Sequence, residues 1–107
     1  MPDGLRTWTE IDLSSISYNI EQIRKRIGPK RYISAVVKAD AYGHGIHQVA
    51  NHLRNIPKLR FAVATPDEAV NLRKTISDKP ILILSCLRPH EIEQVIESNC
   101  IPSVAHL

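Results

Sequence analysis

The residues from Ala35 to Gly45 place one lysine, Lys38, at the end of a short apolar run, with Tyr42 four positions later and Gly43 and Gly45 close behind. A lysine amine has an ordinary pKa of about 10.4, and apolar surroundings push it toward neutrality, where it is a nucleophile. Such an amine condenses with an aldehyde cofactor to form a Schiff base. Tyr42 offers a hydroxyl for a phosphate oxygen, and the two glycines let the backbone turn without a side chain in the way. The alternative is a strand-end lysine whose stem lies on apolar surface while its amine snorkels to solvent. Gly43 and Gly45 do not make a dinucleotide fingerprint, because Gln48 stands three positions after Gly45, nor do they make a P-loop. His44, His47 and His52 have no carboxylate or cysteine to complete a ligand set, so no metal site is read there. His90 and His106 are isolated and read as surface residues.

The elements that must position Lys38 follow from periodicity. Thr7 to Leu13 alternates like a strand, one in need of a pairing partner. Ser14 reads as a helix N-cap, with Leu13 and Tyr18 placed as a hydrophobic staple. Ile16, Ile20, Ile23 and Ile27 draw an apolar stripe down the helix that Gly28 and Pro29 end. A strand from Tyr32 to Lys38 comes next, with Ser34, Val36 and Lys38 on one face and Ile33, Ala35 and Val37 on the other. Ile46, Val49, Ala50 and Leu53 mark a second helix, which cannot run past Pro57.

Arg60 to Ala64 reads as a strand, and Thr65-Pro66-Asp67-Glu68 as a capped helix start with Ala69, Leu72 and Ile76 turned inward. Ile81 to Leu84 has the pattern of a strand buried on both faces. Pro89 opens a helix carrying Ile92, Val95 and Ile96, and Ile101 to Ala105 form a fourth strand. Strands beginning near residues 32, 60, 81 and 101, each separated by one helix, are a βαβ repeat. The class is α/β with a parallel sheet, either doubly wound or part of a (β/α)8 barrel. In both architectures Lys38 lies at the carboxyl edge of the strands, where active sites are built.

Composition narrows the classes. The 107 residues suffice for one domain, and 43% hydrophobic with 23% charged residues suits a globular protein. No apolar run approaches the roughly 18 to 20 residues that span a bilayer, and the first residues carry no apolar core of a secretion signal. A cytoplasmic address is expected, with no membrane partner. Cys86 and Cys100 read as reduced thiols in or near the core. The net charge of +3 comes mostly from Arg24, Lys25, Arg26, Lys30 and Arg31. With no interleaved aromatic residues or binding motif, that cluster reads as a solvated helix end, and nucleic acid is not an expected partner.

The run Val37-Lys38-Ala39-Asp40-Ala41-Tyr42-Gly43-His44-Gly45 resembles the pyridoxal-phosphate attachment motif of the bacterial alanine racemase family. Trp8 to Leu13, Phe61 to Ala64 with Asp67 to Ala69, and Ile81 to Leu84 resemble that family's further segments in the same order. The resemblance implies an incomplete TIM-type barrel, about four of eight strands, forming the N-terminal part of the cofactor-binding domain over residues 1–107, without the C-terminal β-domain. It implies pyridoxal 5'-phosphate as cofactor and L- and D-alanine as substrates, in an isomerase that supplies cell-wall precursors. By the same resemblance Lys38 attaches the cofactor and serves as one of two bases, Tyr42 bonds the phosphate, and Leu84 packs near the cofactor. The family's second base, a tyrosine from the C-terminal domain of a partner subunit in a homodimer, has no counterpart here. Nor has its late-strand arginine at the pyridine nitrogen.

The chain is therefore expected to be nearly inactive alone, and a complementary chain is a possible partner. Ser85 replaces a common glycine, and Asn55 to Lys58 replace a glycine-containing turn. The alternatives are another racemase or decarboxylase of this cofactor and barrel type, or a non-catalytic fragment that binds cofactor or pairs with another chain.

Overall fold

The computed structural model describes residues 4–105. His106, read as a surface residue, lies outside them. Four parallel strands, β1 (Ile33–Val36), β2 (Leu59–Val63), β3 (Ile81–Cys86) and β4 (Ile101–Ser103), form one sheet in the order β1-β2-β3-β4. Helices α1 (Leu13–Ile27), α2 (Ile46–Leu53), α3 (Pro66–Arg73) and α4 (Ile92–Ser98) precede or connect them, with a 3₁₀ turn, Pro89–Glu91, leading into α4. Every crossover joins neighbouring strands, which is the arrangement of successive units of a (β/α) barrel.

One face of the sheet is covered. Ile81, Ile83, Phe61 and Val63 pack with Leu53 of α2 and with Leu72 and Ile76, all 0–1% exposed, so the core lies between sheet and helices. Emptying the Phe61 position to alanine would cost about 3–5 kcal/mol. The other face, carrying Val36, Leu84 and Ile101, is open. β3 is thus buried on one face only, contrary to the expectation from its unbroken apolar run.

Several expected elements shift. Residues 7–12 form no strand; Trp8 Nε1 instead donates to Glu10 Oε1 at 3.0 Å. The cap of α1 is Asp12 rather than Ser14, because its carboxylate accepts from both the N–H (3.3 Å) and the hydroxyl (3.0 Å) of Ser15. Leu13 then becomes a helical residue packed on the core, and Tyr18, 60% exposed, staples nothing. Ile23 also faces out, and Ile92 and Ile96 do so in α4, leaving Val95 as that helix's buried residue. Cys86 is exposed on the open face and Cys100 half-buried.

Candidate active site at the carboxyl edge of the sheet

β1 stops two residues before Lys38. The last rung between β1 and β2 runs from Val37 N–H to Ala62 O at 2.9 Å. The next donor, Ala39 N–H, finds no strand partner, because the Ala64 carbonyl is turned toward β3 and accepts from Ser85 N–H at 3.1 Å. Beyond Lys38 the backbone reverses its hand. Ala39, Asp40, Ala41 and Tyr42 have φ of 51°, 55°, 54° and 56°, a left-handed turn of four non-glycine residues. Each such residue costs about 1–2 kcal/mol relative to a right-handed one. Gly43 and Gly45 continue at φ 85° and 93°, where glycine has no penalty.

Hydrogen bonds hold the turn in this conformation. Gly43 N–H donates to Ala39 O at 3.1 Å, and Gly45 N–H to Asp40 O at 2.9 Å. The Asp40 carboxylate accepts from Ile46 N–H at 2.8 Å, capping α2 from within the turn. His44 Nδ1–H donates to Ala41 O at 2.8 Å. Glu68, at the start of α3, accepts from Ala64 N–H (2.8 Å) and Thr65 N–H (3.2 Å) through Oε1, and from Ala39 N–H (2.7 Å) through Oε2. In the sequence Glu68 shows only as part of a capped helix start, and Asp40 carries no signal of its own. The Thr65-to-Glu68 spacing after a strand was the available signal, but it says nothing of the second carboxylate oxygen.

Alternation along the strands places Ser34 and Val36 on the open face, and Leu82 and Leu84 likewise, while Lys38 follows Val37, where the backbone has already left the strand conformation. Val36 pairs with Ala62 and Ala62 with Leu82, and Leu84 lies two residues further along β3. Lys38 is half-buried and Leu84 is 45% exposed. Tyr42 ends the turn with its ring 59% exposed, and no hydrogen bond among the described residues joins it to Lys38. The other lysines with partners are engaged elsewhere: Lys25 with Glu21 at 3.6 Å, Lys58 over the Tyr32 ring, and Lys79 on the carbonyls of Ile56 and Leu59. The Lys38 amine and the Tyr42 hydroxyl have no such engagement among the described residues. Lys38 thus lies just past the carboxyl end of β1, and Tyr42 closes the turn that follows it.

The three histidines considered for metal binding go to three places. His44 bonds its own turn, His47 ties α2 to Asn71 and Thr75 of the α3 unit, and His52 Nε2 meets Ser17 Oγ at 3.0 Å. Among the described residues no three His, Cys, Asp or Glu side chains are grouped to hold an ion. An apolar groove of about 440 Å³ lies at the opposite edge among Ile20, Arg24, Ile56 and Pro57, away from Lys38.

The chain is similar to known proteins over most of its length. The family described as alanine racemase, N-terminal domain, matches residues 11–107. The chain belongs to that family.

The alanine racemase of Halothermothrix orenii is 42% identical over 98 residues, covering 92% of this chain and 26% of the relative. The chain thus spans about a quarter of the length of the curated relatives it matches. Among solved structures, alanine racemase from Clostridium difficile 630 superposes with a TM-score of 0.87 at 32% identity, over 96% of this chain and 27% of that one. Alanine racemase from Bartonella henselae, solved with covalently bound pyridoxal phosphate, gives 0.77 at 31%, over 86% of this chain and 27% of that one. The alanine racemase likeness and the four parallel β/α units agree on the fold: part of a TIM-type barrel.

Proposed function

We propose that this chain supplies the lysine-bearing part of a pyridoxal 5'-phosphate-dependent alanine racemase, over residues 1–107 of its cofactor-binding barrel domain. The observation that supports the reading is a Lys38 amine without a partner among the described residues, just past the carboxyl end of β1, in a chain of this family. When bound, the cofactor supplies an electron sink that lets the α-proton of an attached amino acid leave and return.

The chain's own residues have simpler tasks. Lys38 holds the cofactor through its amine and, once displaced by substrate, accepts and returns a proton at Nζ on one face. Tyr42 donates its hydroxyl hydrogen to a phosphate oxygen, and Leu84 presents apolar surface to the cofactor from β3. Inversion needs a second proton carrier on the opposite face, and the family resemblance assigns it to a partner subunit's C-terminal domain. A homodimer acting on alanine in the cytoplasm is the corresponding whole-protein reading. No helix among the described residues is long and apolar enough to cross a membrane.

Incubation with pyridoxal phosphate, borohydride reduction and peptide mass mapping test the central claim. Lys38 is expected to carry the pyridoxyl mass well above the other lysines. Label spread over surface lysines and missing from Lys38 would remove the cofactor reading. D-alanine formation by the purified chain alone is expected to be nearly undetectable, and a clear rate would show that Lys38 does not need an outside partner.

A further inference from the structure

We propose that Glu68 is a positioning residue for Lys38, acting through the Ala39 amide; the inference rests on the cofactor role of Lys38 given above. Its carboxylate stands where the sheet's own ladder fails. A regular parallel pair would continue from Val37 N–H on Ala62 O to Ala39 N–H on Ala64 O, but Ala64 O is taken by Ser85 of β3. Glu68 Oε2 accepts the stranded Ala39 N–H at 2.7 Å, a charge-assisted bond to the residue directly after Lys38. Oε1 holds Ala64 and Thr65, the residues that leave β2. One carboxylate therefore fastens the end of β2 to the peptide that fixes the exit direction of the Lys38 side chain.

The left-handed turn makes this fastening matter. Ala39 is its first residue with positive φ, and a backbone held against its steric preference relaxes when an anchor is removed. Asp40 secures the turn on α2, and at the Lys38 end Glu68 acts beside the bond from Ala41 N–H to Val37 O at 2.9 Å.

Two substitutions separate positioning from helix capping. Glu68→Gln keeps the size and one acceptor oxygen, enough for Ala64 and Thr65, but its amide nitrogen cannot accept from Ala39. Thr65→Ala removes the side-chain acceptor for Glu68 N–H (3.3 Å) while leaving the Glu68 carboxylate in place. Amide hydrogen exchange on the cofactor-free chain is the first readout. Exchange at Ala39 should quicken by about tenfold or more in Glu68→Gln, the scale of one hydrogen bond to a charged group, and stay near wild type in Thr65→Ala. The second readout is the share of pyridoxyl label on Lys38 after borohydride reduction, expected to fall several-fold in Glu68→Gln alone.

Unchanged Ala39 exchange in Glu68→Gln overturns the inference, as does equal loss of Lys38 label in both variants, which would mark a capping effect. Faster exchange with unchanged label makes Glu68 a structural clamp and also overturns positioning. If wild-type Lys38 takes no preferential label, the cofactor reading fails and the positioning role falls with it, whereas Ala39 exchange still tells whether the clamp exists.

Discussion

The two edges of the sheet are fastened by opposite chemistry. At the carboxyl edge, where Lys38 sits, carboxylates accept from backbone N–H groups: Asp12 at the start of α1, Asp40 at α2, Glu68 at α3, and Glu91 on Arg88 N–H at 2.9 Å before α4. At the amino edge, cations donate to backbone carbonyls. Arg24 bonds Gly28 (3.2 Å), Pro57 (2.8 Å) and Lys58 (3.1 Å), while Arg73 bonds Ile76, Lys79, Ser98 and Asn99 at 2.7–3.2 Å. Lys79 reaches Ile56 at 2.8 Å. The polarity follows from the fold, since in β/α units every helix starts at the carboxyl edge with unpaired N–H groups and ends at the amino edge with unpaired C=O groups. The amino-edge cations link one connecting segment to the next, whereas the carboxyl-edge anions each work close to their own helix start. Glu68, which crosses to Ala39, is the departure. The division assigns stability to one edge and site geometry to the other.

The sharpest way to break that division is Arg73→Ala. It removes donors from carbonyls in two connecting segments, and a loss of about 2–4 kcal/mol is expected in the urea unfolding free energy. Pyridoxyl labelling of Lys38 in the still-folded variant should match wild type. Altered labelling well below the unfolding midpoint would show that the edges are coupled.

A smaller effect is expected at the carboxyl edge. Asp40→Ala should cost about 1 kcal/mol through the lost cap on Ile46. Asp40→Asn retains an acceptor oxygen and tolerates the left-handed backbone, so its unfolding midpoint should stay close to wild type. An unchanged midpoint in Asp40→Ala would mean that the cap contributes nothing.

Acid should distinguish the edges with the smallest signal. The Ser15 hydroxyl and then its N–H hold the Asp12 carboxyl below its ordinary 3.8, and the Arg88 N–H holds Glu91 below its ordinary 4.5. A lowered folded-state value means that the unfolded chain takes up the proton first. The stabilisation is therefore complete above those ordinary values and is lost as pH falls through the lower folded ones. Asp12 is exposed, so its change should be slight, whereas the Glu91 side chain is only 12% exposed beside the Arg88 guanidinium. Asp12→Asn should abolish the Asp12 share of the acid sensitivity in thermal melts, while Arg24 and Arg73 stay charged throughout.

What the sequence disclosed depended on whether the signal was local. The β/α alternation, the Thr65 capping box and the inward Ala69, Leu72 and Ile76 rest on short-range periodicity, and the structure has them, whereas the strand expected to reach Lys38 ends at Val36. Strand limits moved by one or two residues, as with β2 at Leu59–Val63 against an expected Arg60–Ala64. Arg24 read as part of a solvated basic cluster, because nothing in a linear reading reveals carbonyls more than thirty residues away at Pro57 and Lys58. The strand expected before Leu13 failed for the same reason, since pairing needs a neighbour that periodicity does not supply. Least legible was the left-handed turn. Ala39, Asp40 and Ala41 carry no glycine signal, and the conformation is imposed by Glu68 and Asp40 from outside the four residues' own preferences.

That turn also sets a length. A helical turn of either hand advances about 1.5 Å per residue, so Ala39 to Tyr42 travel roughly 6 Å along the turn axis where an extended loop would travel roughly 13 Å. The loop is thereby shortened to the scale of a single small molecule, and its hand decides on which side of the β1 axis Tyr42 emerges. Relaxing the same four residues into extended backbone would leave Lys38 in its place in the sequence and carry the Tyr42 ring out of reach of anything the amine could hold.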